Sequence, residues 1–239
     1  MGMPITIEIV GAVGTVDFDA VYDYLAWVDN TFSTFKTDSE ISRINRGLPK
    51  EKWSREMKTV LRLCEQTKNE TNGYFDIARP GKLDPSGLVK GWAVNNAADM
   101  LRKRGHTNFY IEAGGDIQVS GHSAKDQPWT VGIRNPFNPG EMIKIIAATT
   151  EGIATSGTYI RGQHVYNPHQ PDDALTDVVS LTVIGPDIYN ADRFATAAFA
   201  MGKHGIEFIE KMVGYEAYMV DNKHVATLTS GFNRYTKAS

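Results

Sequence analysis

Cysteine is almost lacking from this sequence, since Cys64 is the only one among 239 residues. A single thiol cannot form an intramolecular disulfide, and it cannot build a zinc site that needs several cysteines. Cys64 lies in the apolar stripe of a predicted helix, where a buried core thiol is the commoner interpretation and a catalytic thiol the rarer one. We therefore expect a fold held together by its core and a cytoplasmic location.

Long apolar runs and clustered positive charges are lacking as well. No stretch approaches the roughly 20 apolar residues of a membrane-spanning helix. The first ten residues alternate polar and apolar side chains and do not form a signal peptide. The net charge of −3 does not indicate a basic surface for nucleic acid. The sequence thus predicts neither a membrane anchor nor nucleic acid as a partner.

Helical and strand patterns are both present, and they are mixed along the chain. Ile5, Ile7 and Ile9 alternate with polar residues, which predicts a strand, whereas apolar residues recur every three or four positions over 18–32, which predicts a helix. Further helices are predicted near 41–44, 57–64, 88–104, 191–201 and 206–212, and further strands at 109–113 and near residues 118, 131, 145, 182, 219 and 225. Because a β-α-β rhythm, a repeat and a linker are missing, we predict one α+β domain over residues 1–239.

Local signals refine this outline at three points. Thr37 and Glu40 match a capping box at the start of a short helix. Glycines and prolines punctuate residues 73–87, which predicts a loop. Gly105 is expected to end the helix that precedes it.

Asp192 and Thr196 form the first candidate site. They are four residues apart, so on a helix they share one face. A carboxylate and a hydroxyl suit Mg²⁺, because this ion takes few protein oxygens and fills its other positions with water and phosphate oxygens. An exposed aspartate near a helix start more often caps the helix or compensates its dipole. Spacing alone leaves both interpretations open.

The segment 84–92 joins a glycine-containing turn to the start of a helix. The free N–H groups and positive dipole end of a helix N-terminus favour an anion such as phosphate. Lys90 is predicted to lie in the first turn, where a positive charge is unfavourable for the dipole. This position suggests a phosphate contact, although a solvated surface lysine fits the pattern equally well.

Two further segments carry groups that could serve a ligand. The small residues of 154–157 include Thr155 and Ser156 and predict a loop that a ligand can approach closely. His164 follows and could accept a proton near neutral pH, but a lone histidine is more often structural. Two aromatic residues precede an acid at 74–76, and such rings either stack on a flat ligand or, more commonly, pack in the core. Phe35 invites the same two interpretations.

Taken together and in this order, the segments resemble the ApbE family of FAD:protein FMN transferases. The similarity covers nearly the whole chain and includes Met1–Pro4, Phe35–Asn45, Gly73–Asp76, Ser86–Trp92, Ala113–Asp116, Ala154–Gly157, His164–Pro168 and Ala191–Thr196. The resemblance implies a single compact α+β domain of mixed sheets and helices, of the ApbE type and related to the T-fold. It also implies transfer of the FMN part of FAD onto a threonine hydroxyl of a target protein, with Mg²⁺ as cofactor and AMP as the second product.

The resemblance also implies a role for each matching residue. The metal ligands would be Asp192, Thr196 and the backbone carbonyl of Gly87. The residues that contact FAD would be Met1, Phe35, Tyr74, Phe75, Asp76 and Lys90, with Thr155 and Ser156 beside the pyrophosphate. His164 matches the residue proposed as the base in the family.

Three departures from the family pattern bear on these roles. Phe35 stands where tyrosine is frequent, and Asn167 stands where aspartate is common, so a non-catalytic FAD-binding protein is kept as an alternative. An FAD pyrophosphatase yielding FMN and AMP is kept as well, because the same metal and phosphate groups would serve attack by water. Most familiar members are exported lipoproteins with a cysteine after a signal segment. This sequence starts directly at the Met-Gly motif, which predicts a cytoplasmic member or a trimmed form of an exported lipoprotein.

Overall fold

An antiparallel sheet lies at the centre of the computed structural model, which describes residues 2–138, 140–157 and 165–236. The strands are β1 Ile5–Ile9, β2 Ala78–Arg79, β3 Lys82–Leu83, β4 Phe109–Ala113, β5 Asp116–Ser120, β6 Trp129–Arg134, β7 Met142–Ala148, β8 Gly152–Gly157, β9 Val178–Gly185, β10 Glu216–Asp221 and β11 Ala226–Leu228. The helices are α1 Thr15–Phe32, α2 Glu40–Asn45, α3 Arg55–Glu70, α4 Ser86–Lys103, α5 Ile188–Ala200 and α6 Gly205–Glu210. Within the described ranges the central sheet has seven strands in the order β1-β4-β5-β8-β9-β10-β11.

Each face of this sheet is covered by a separate apolar core. Side chains alternate between the two faces of a strand, so β8 contributes Ala154 to one core and Ile153 to the other. The core that contains Ala154 also includes buried side chains of the six helices. The core that contains Ile153 is closed by the two-stranded ribbon β6–β7 and by Phe232. The result is a single compact α+β domain in which the helices lie on one side of the sheet.

Helices α4 and α5 pack against each other and against the sheet, and two glycines permit the close approach. A Cβ atom at Gly91 of α4 would lie 2.6 Å from the Cβ of Asp192 in α5. A Cβ atom at Gly152 of β8 would lie 2.0 Å from the backbone nitrogen of Ile188, at the start of α5. The start of α5 is therefore held between a helix and a strand, which fixes the position of the residues that follow.

The structure confirms most of the predicted elements. Each predicted helix and strand is found, with bounds that differ by a few residues, and Cys64 is 2% exposed in the core. Gly105 follows α4 with a φ of +89°, as expected of a glycine that ends a helix. Within the described ranges, the helices all fall short of the length and apolarity needed to cross a bilayer.

Several local predictions are wrong. The side chain that caps α2 is Ser39, whose oxygen accepts a hydrogen bond from the Ser42 nitrogen, so the predicted Thr37 capping box does not form. Residues 73–87 include the small hairpin β2–β3, whose two-residue strands are too short to produce a visible alternation. Residues 154–157 are not a loop but part of β8, because they pair with β9 as far as Gly157.

Candidate active site

A single cavity at the start of α4 brings together most of the residues implied by the sequence. Its wall is formed by the loop before the β2–β3 hairpin, the first turns of α4, the end of β8 and the buried face of α5. The predicted residues that line it are Tyr74, Phe75, Asp76, Gly87, Lys90, Thr155, Ser156, Asp192 and Thr196. Arg79 also lines it, together with Asp84, Ser86 and Tyr166, which belong to segments singled out in the sequence but were given no individual role.

Asp192 is a buried carboxylate, not an exposed helix-capping residue. Its exposed fraction is 3%, and the cap of α5 is Asp187, whose side chain accepts from the Asn190 nitrogen. The Asp192 Oδ2 atom accepts a hydrogen bond of 2.7 Å from the Gly91 nitrogen in α4. Burial without a cap role excludes the simpler interpretation of this residue, since buried carboxylates need a partner charge, a metal or hydrogen bonds.

Lys90 lies between two carboxylates and is not a solvated surface lysine. Its Nζ atom is 2.5 Å from Asp116 Oδ2 and 3.7 Å from Asp192 Oδ1. Because α4 begins at Ser86, Lys90 is in the second turn and the predicted first-turn position is wrong. The lysine therefore points its charge into the cavity from the side of the helix, where it can face an anionic ligand.

Asp116 is the residue of this cluster to which sequence reasoning gave no role. It starts β5, and only 1% of its surface is exposed. Its Oδ1 atom accepts a hydrogen bond of 3.2 Å from the Thr155 nitrogen in β8. In the sequence, Asp116 was marked only by the match of Ala113–Asp116 to the family pattern. That match did not show which residues Asp116 contacts.

The charges of this cluster affect one another. Burial raises the pKa of the Asp192 carboxyl, the ammonium of Lys90 acts in the opposite direction, and the nearby carboxylate of Asp116 raises it further. A divalent cation beside Asp192 would favour the ionised carboxylate in the same way as Lys90 does. The site is thus one in which added positive charge relieves repulsion between two buried acids.

Thr196 and Gly87 supply neutral oxygens next to Asp192. Thr196 lies one helical turn after Asp192 and donates its hydroxyl hydrogen bond to the Gly87 carbonyl over 3.3 Å. Neighbouring ligands of an octahedral Mg²⁺ at about 2.1 Å are roughly 3 Å apart, so these two oxygens are spaced as such ligands would be. Among the described residues, no three His, Cys, Asp or Glu side chains form a metal cluster. A metal here would need this mixed set of hard oxygens, and the set fits Mg²⁺.

The aromatic wall of the cavity is formed by residues 74–76 and their neighbours. Tyr74 packs edge-on against His169 with ring centroids 4.5 Å apart. Phe75 is 3% exposed and belongs to the core, as the commoner interpretation had it. Asp76 forms an ion pair of 2.7 Å with Lys68. Of these three side chains, Phe75 is the least available for direct contact with a ligand.

Residues 155 and 156 face opposite sides of the sheet. The Thr155 hydroxyl is 2.8 Å from the hydroxyl of Thr182, its cross-strand partner in β9. Ser156 shares the face of Ala154, which the helices cover, and lines the cavity. The Ser156 side chain is therefore better oriented toward a ligand than that of Thr155.

Of the predicted site residues that the structure describes, one lies apart from this cavity. Phe35 is 96% exposed and lines a neighbouring groove, which shares Ser86 and Lys90 with the cavity. A ligand that extends across Lys90 could contact both the cavity and the groove that contains Phe35. Met1 and His164 lie outside the described residues.

The fold and the site together define a class of α+β proteins with an oxygen-rich cavity where two packed helices meet an antiparallel sheet. The chain belongs to the ApbE family, whose sequence profile matches residues 1–81 and 78–219.

Individual relatives agree with this assignment. A Vibrio cholerae protein named FAD:protein FMN transferase is 25% identical, over 89% of this chain and 80% of its own length. A Haemophilus influenzae protein of the same name is 28% identical, over 65% of this chain and 49% of its own length. The fold resembles a solved flavin transferase ApbE from Vibrio cholerae, with a TM-score of 0.85 and 24% identity over 98% of this chain and 96% of the other. It also resembles an ApbE protein from Thermotoga maritima, with a TM-score of 0.85 and 20% identity over 99% and 96%.

Proposed function

We propose that this chain is a Mg²⁺-dependent FAD:protein FMN transferase, which moves the FMN part of FAD onto a threonine hydroxyl of a target flavoprotein and releases AMP. The observation that carries the proposal is the convergence of Asp192, Thr196 and the Gly87 carbonyl beside Lys90 in one cavity. The names of the relatives support the flavin transfer, and the donor set of the cavity supports the metal.

The reaction forms one bond and breaks one. The threonine oxygen attacks the phosphorus of the FMN part, and the bond from this phosphorus to the bridging oxygen breaks, so that this oxygen leaves with AMP. Such a transfer depends mainly on positioning and on neutralisation of phosphoryl charge. A bound Mg²⁺ would polarise the phosphoryl oxygens.

The residues of the chain would supply the other parts of the mechanism. Asp192, Thr196 and Gly87 would hold the metal, and the Lys90 ammonium would face the pyrophosphate. Tyr74, Asp76 and Phe35 would line the path of the ring systems. We assign to His164 the role of the general base, which accepts the proton of the attacking hydroxyl. Such a base typically contributes about 10²- to 10⁴-fold in rate.

The test is to incubate the protein with FAD, Mg²⁺ and a peptide that carries a Ser/Thr-Gly-Ala-Ser/Thr-x-Thr sequence. Intact-mass spectrometry should show one FMN added to the peptide, and chromatography should show an equal amount of AMP. AMP and free FMN formed at the same rate without a peptide would identify an FAD pyrophosphatase. Bound FAD with neither product would identify a non-catalytic FAD-binding protein.

A further inference from the structure

The cluster Lys90, Asp116 and Asp192 contains two carboxylates and one ammonium. The exposed fractions of the side chains are 17%, 1% and 5% in that order. The ammonium is closer to Asp116, at 2.5 Å, than to Asp192, at 3.7 Å. Both acids attract the Lys90 ammonium, but its position is set mainly by Asp116.

Asp116 is fixed by the sheet, whereas Lys90 has a flexible stem. The Oδ1 atom of Asp116 accepts from the Thr155 nitrogen, and the next residue, Ile117, pairs with Ile153 of β8. Lysine carries its charge on four rotatable methylenes and moves readily between acceptors. The rigid partner determines where the mobile charge lies.

Asp192 is oriented in a complementary way. Its Oδ2 atom is engaged by the Gly91 nitrogen, which leaves Oδ1 as the atom that faces Lys90. If Lys90 moved to direct contact with Oδ1, its attraction to Asp192 would increase because Coulomb energy rises as distance falls. The ammonium would then occupy the space beside the carboxylate.

We propose that Asp116 is a positioning residue, which keeps the Lys90 ammonium out of hydrogen-bond contact with Asp192 and so leaves the Asp192 Oδ1 atom available to a divalent metal. This inference rests on the proposed function, in which Asp192 is a metal ligand. It assigns to Asp116 no contact with the reacting atoms. The same arrangement leaves the ammonium directed to the phosphate side of the cavity.

The test measures binding of Mn²⁺ alone, by the electron paramagnetic resonance signal of the free ion, since Mn²⁺ accepts the same oxygen ligands as Mg²⁺. Four proteins are titrated: wild type, Asp116→Asn, Lys90→Met and the double variant. Asparagine preserves the Oδ1 acceptor for Thr155 and removes the charge. We expect Asp116→Asn to weaken Mn²⁺ binding by about tenfold or more, because the cavity loses a negative charge and gains a competing ammonium.

The double variant separates these two causes. If Asp116 acts through Lys90, then Lys90→Met should strengthen Mn²⁺ binding by a larger factor in the Asp116→Asn background than in wild type. Equal factors in both backgrounds would mean that Asp116 acts only through its own charge, and the inference would be overturned. Asp221→Asn is the matched control, because Asp221 is also a buried aspartate that pairs with a lysine, Lys203, but it does not line the cavity.

Two further outcomes are informative. If wild type binds no Mn²⁺, the metal part of the proposed function fails, whereas binding that is unchanged in Asp116→Asn contradicts only the role of Asp116. Circular dichroism shows whether each variant is folded. Should Asp116→Asn not fold, Asp116→Ser replaces it, since a serine hydroxyl also removes the charge and can accept a hydrogen bond.

Discussion

At the scale of residues, each candidate metal ligand is held by an atom of another element. Asp192 is bonded to the Gly91 nitrogen of α4, and Thr196 is bonded to the Gly87 carbonyl of the same helix. These contacts orient the oxygens before any ligand binds. Preorganised ligands lose little entropy when the metal enters, which favours binding. A substitution that disturbs this arrangement should therefore lower metal affinity markedly.

Asp192→Asn should abolish measurable metal-dependent transfer, with a loss of at least about hundredfold, because a charged ligand is replaced by a neutral one. Asparagine can still accept from Gly91, so the fold should persist. Alanine would also remove this hydrogen bond to a charged acceptor, which costs roughly 1.5–3 kcal/mol of stability. The assay follows peptide flavinylation against Mg²⁺ concentration, with Asp99→Asn on the surface of α4 as control. Full, metal-independent activity of Asp192→Asn would refute the ligand assignment.

Thr196→Val should have a milder effect than Asp192→Asn. A neutral hydroxyl is a weaker ligand than a carboxylate, and water can take its place at the metal. We expect the Mg²⁺ concentration for half-maximal activity to rise. The maximal rate should fall by a smaller factor than in Asp192→Asn. Thr196→Ser, which keeps the hydroxyl, should behave like wild type. A greater loss in the serine variant, which lacks the methyl group, than in the valine variant, which keeps it, would instead point to packing of this methyl group against Gly87, where a Cβ would lie 3.1 Å from Thr196 Cγ2.

At the scale of elements, the site depends on the close contact of α4 with α5. Gly91 permits it, since any Cβ there would meet both the Asp192 Cβ and the Ile188 carbonyl oxygen at 2.6 Å. The contact places the Gly87–Lys90 turn opposite the Asp192–Thr196 face. Helix packing in this protein is therefore a condition for assembling the metal ligands.

Gly91→Ala should destabilise the protein by about 1–3 kcal/mol, because overpacking forces the two helices apart. The same shift should weaken the hydrogen bond to Asp192 and so lower metal affinity as well. Urea unfolding and a Mg²⁺ titration measure the two effects. Gly14→Ala is the control, since a Cβ at that position has no neighbour within 4 Å. A fully stable Gly91→Ala variant would show that the interface can adjust.

At the scale of the whole molecule, one continuous core joins the helices to the sheet. It includes Cys64, which is 2% exposed. Burial raises the pKa of this thiol to about 12. The thiolate is the reactive form, so the thiol gains reactivity only when the core opens.

Native protein at pH 8 should therefore react with a thiol reagent such as dithionitrobenzoate only very slowly. At a pKa of about 12 roughly one thiol in ten thousand is ionised at that pH, and burial further blocks the reagent. Protein unfolded in guanidinium chloride should react at once with one equivalent. The reaction is followed by the absorbance at 412 nm of the thiolate that the reagent releases. Rapid labelling of the native protein would show that this region opens locally.

The periodicity of the sequence was enough to predict most of the fold. The helix over Arg55–Glu70 and the strand over Phe109–Ala113 follow from the spacing of apolar residues, because one face of each element must be buried. The strand Gly152–Gly157 could not be predicted in this way, because its small residues are buried on both faces and show no alternation. The hairpin within residues 73–87 was missed since pairing of two residues per strand leaves no pattern.

By itself, the sequence determined most of the elements, the single α+β domain and, through ordered motifs, the ApbE family. Only the tertiary structure decided that Asp192 is buried, that Thr196 faces the Gly87 carbonyl, and that Lys90 is held by Asp116. The two contacts join residues that are far apart in the chain, 26 positions for Lys90 and Asp116 and 109 positions for Thr196 and Gly87. Local propensity cannot encode such pairs, because they arise from the packing of α4 and α5 on the sheet.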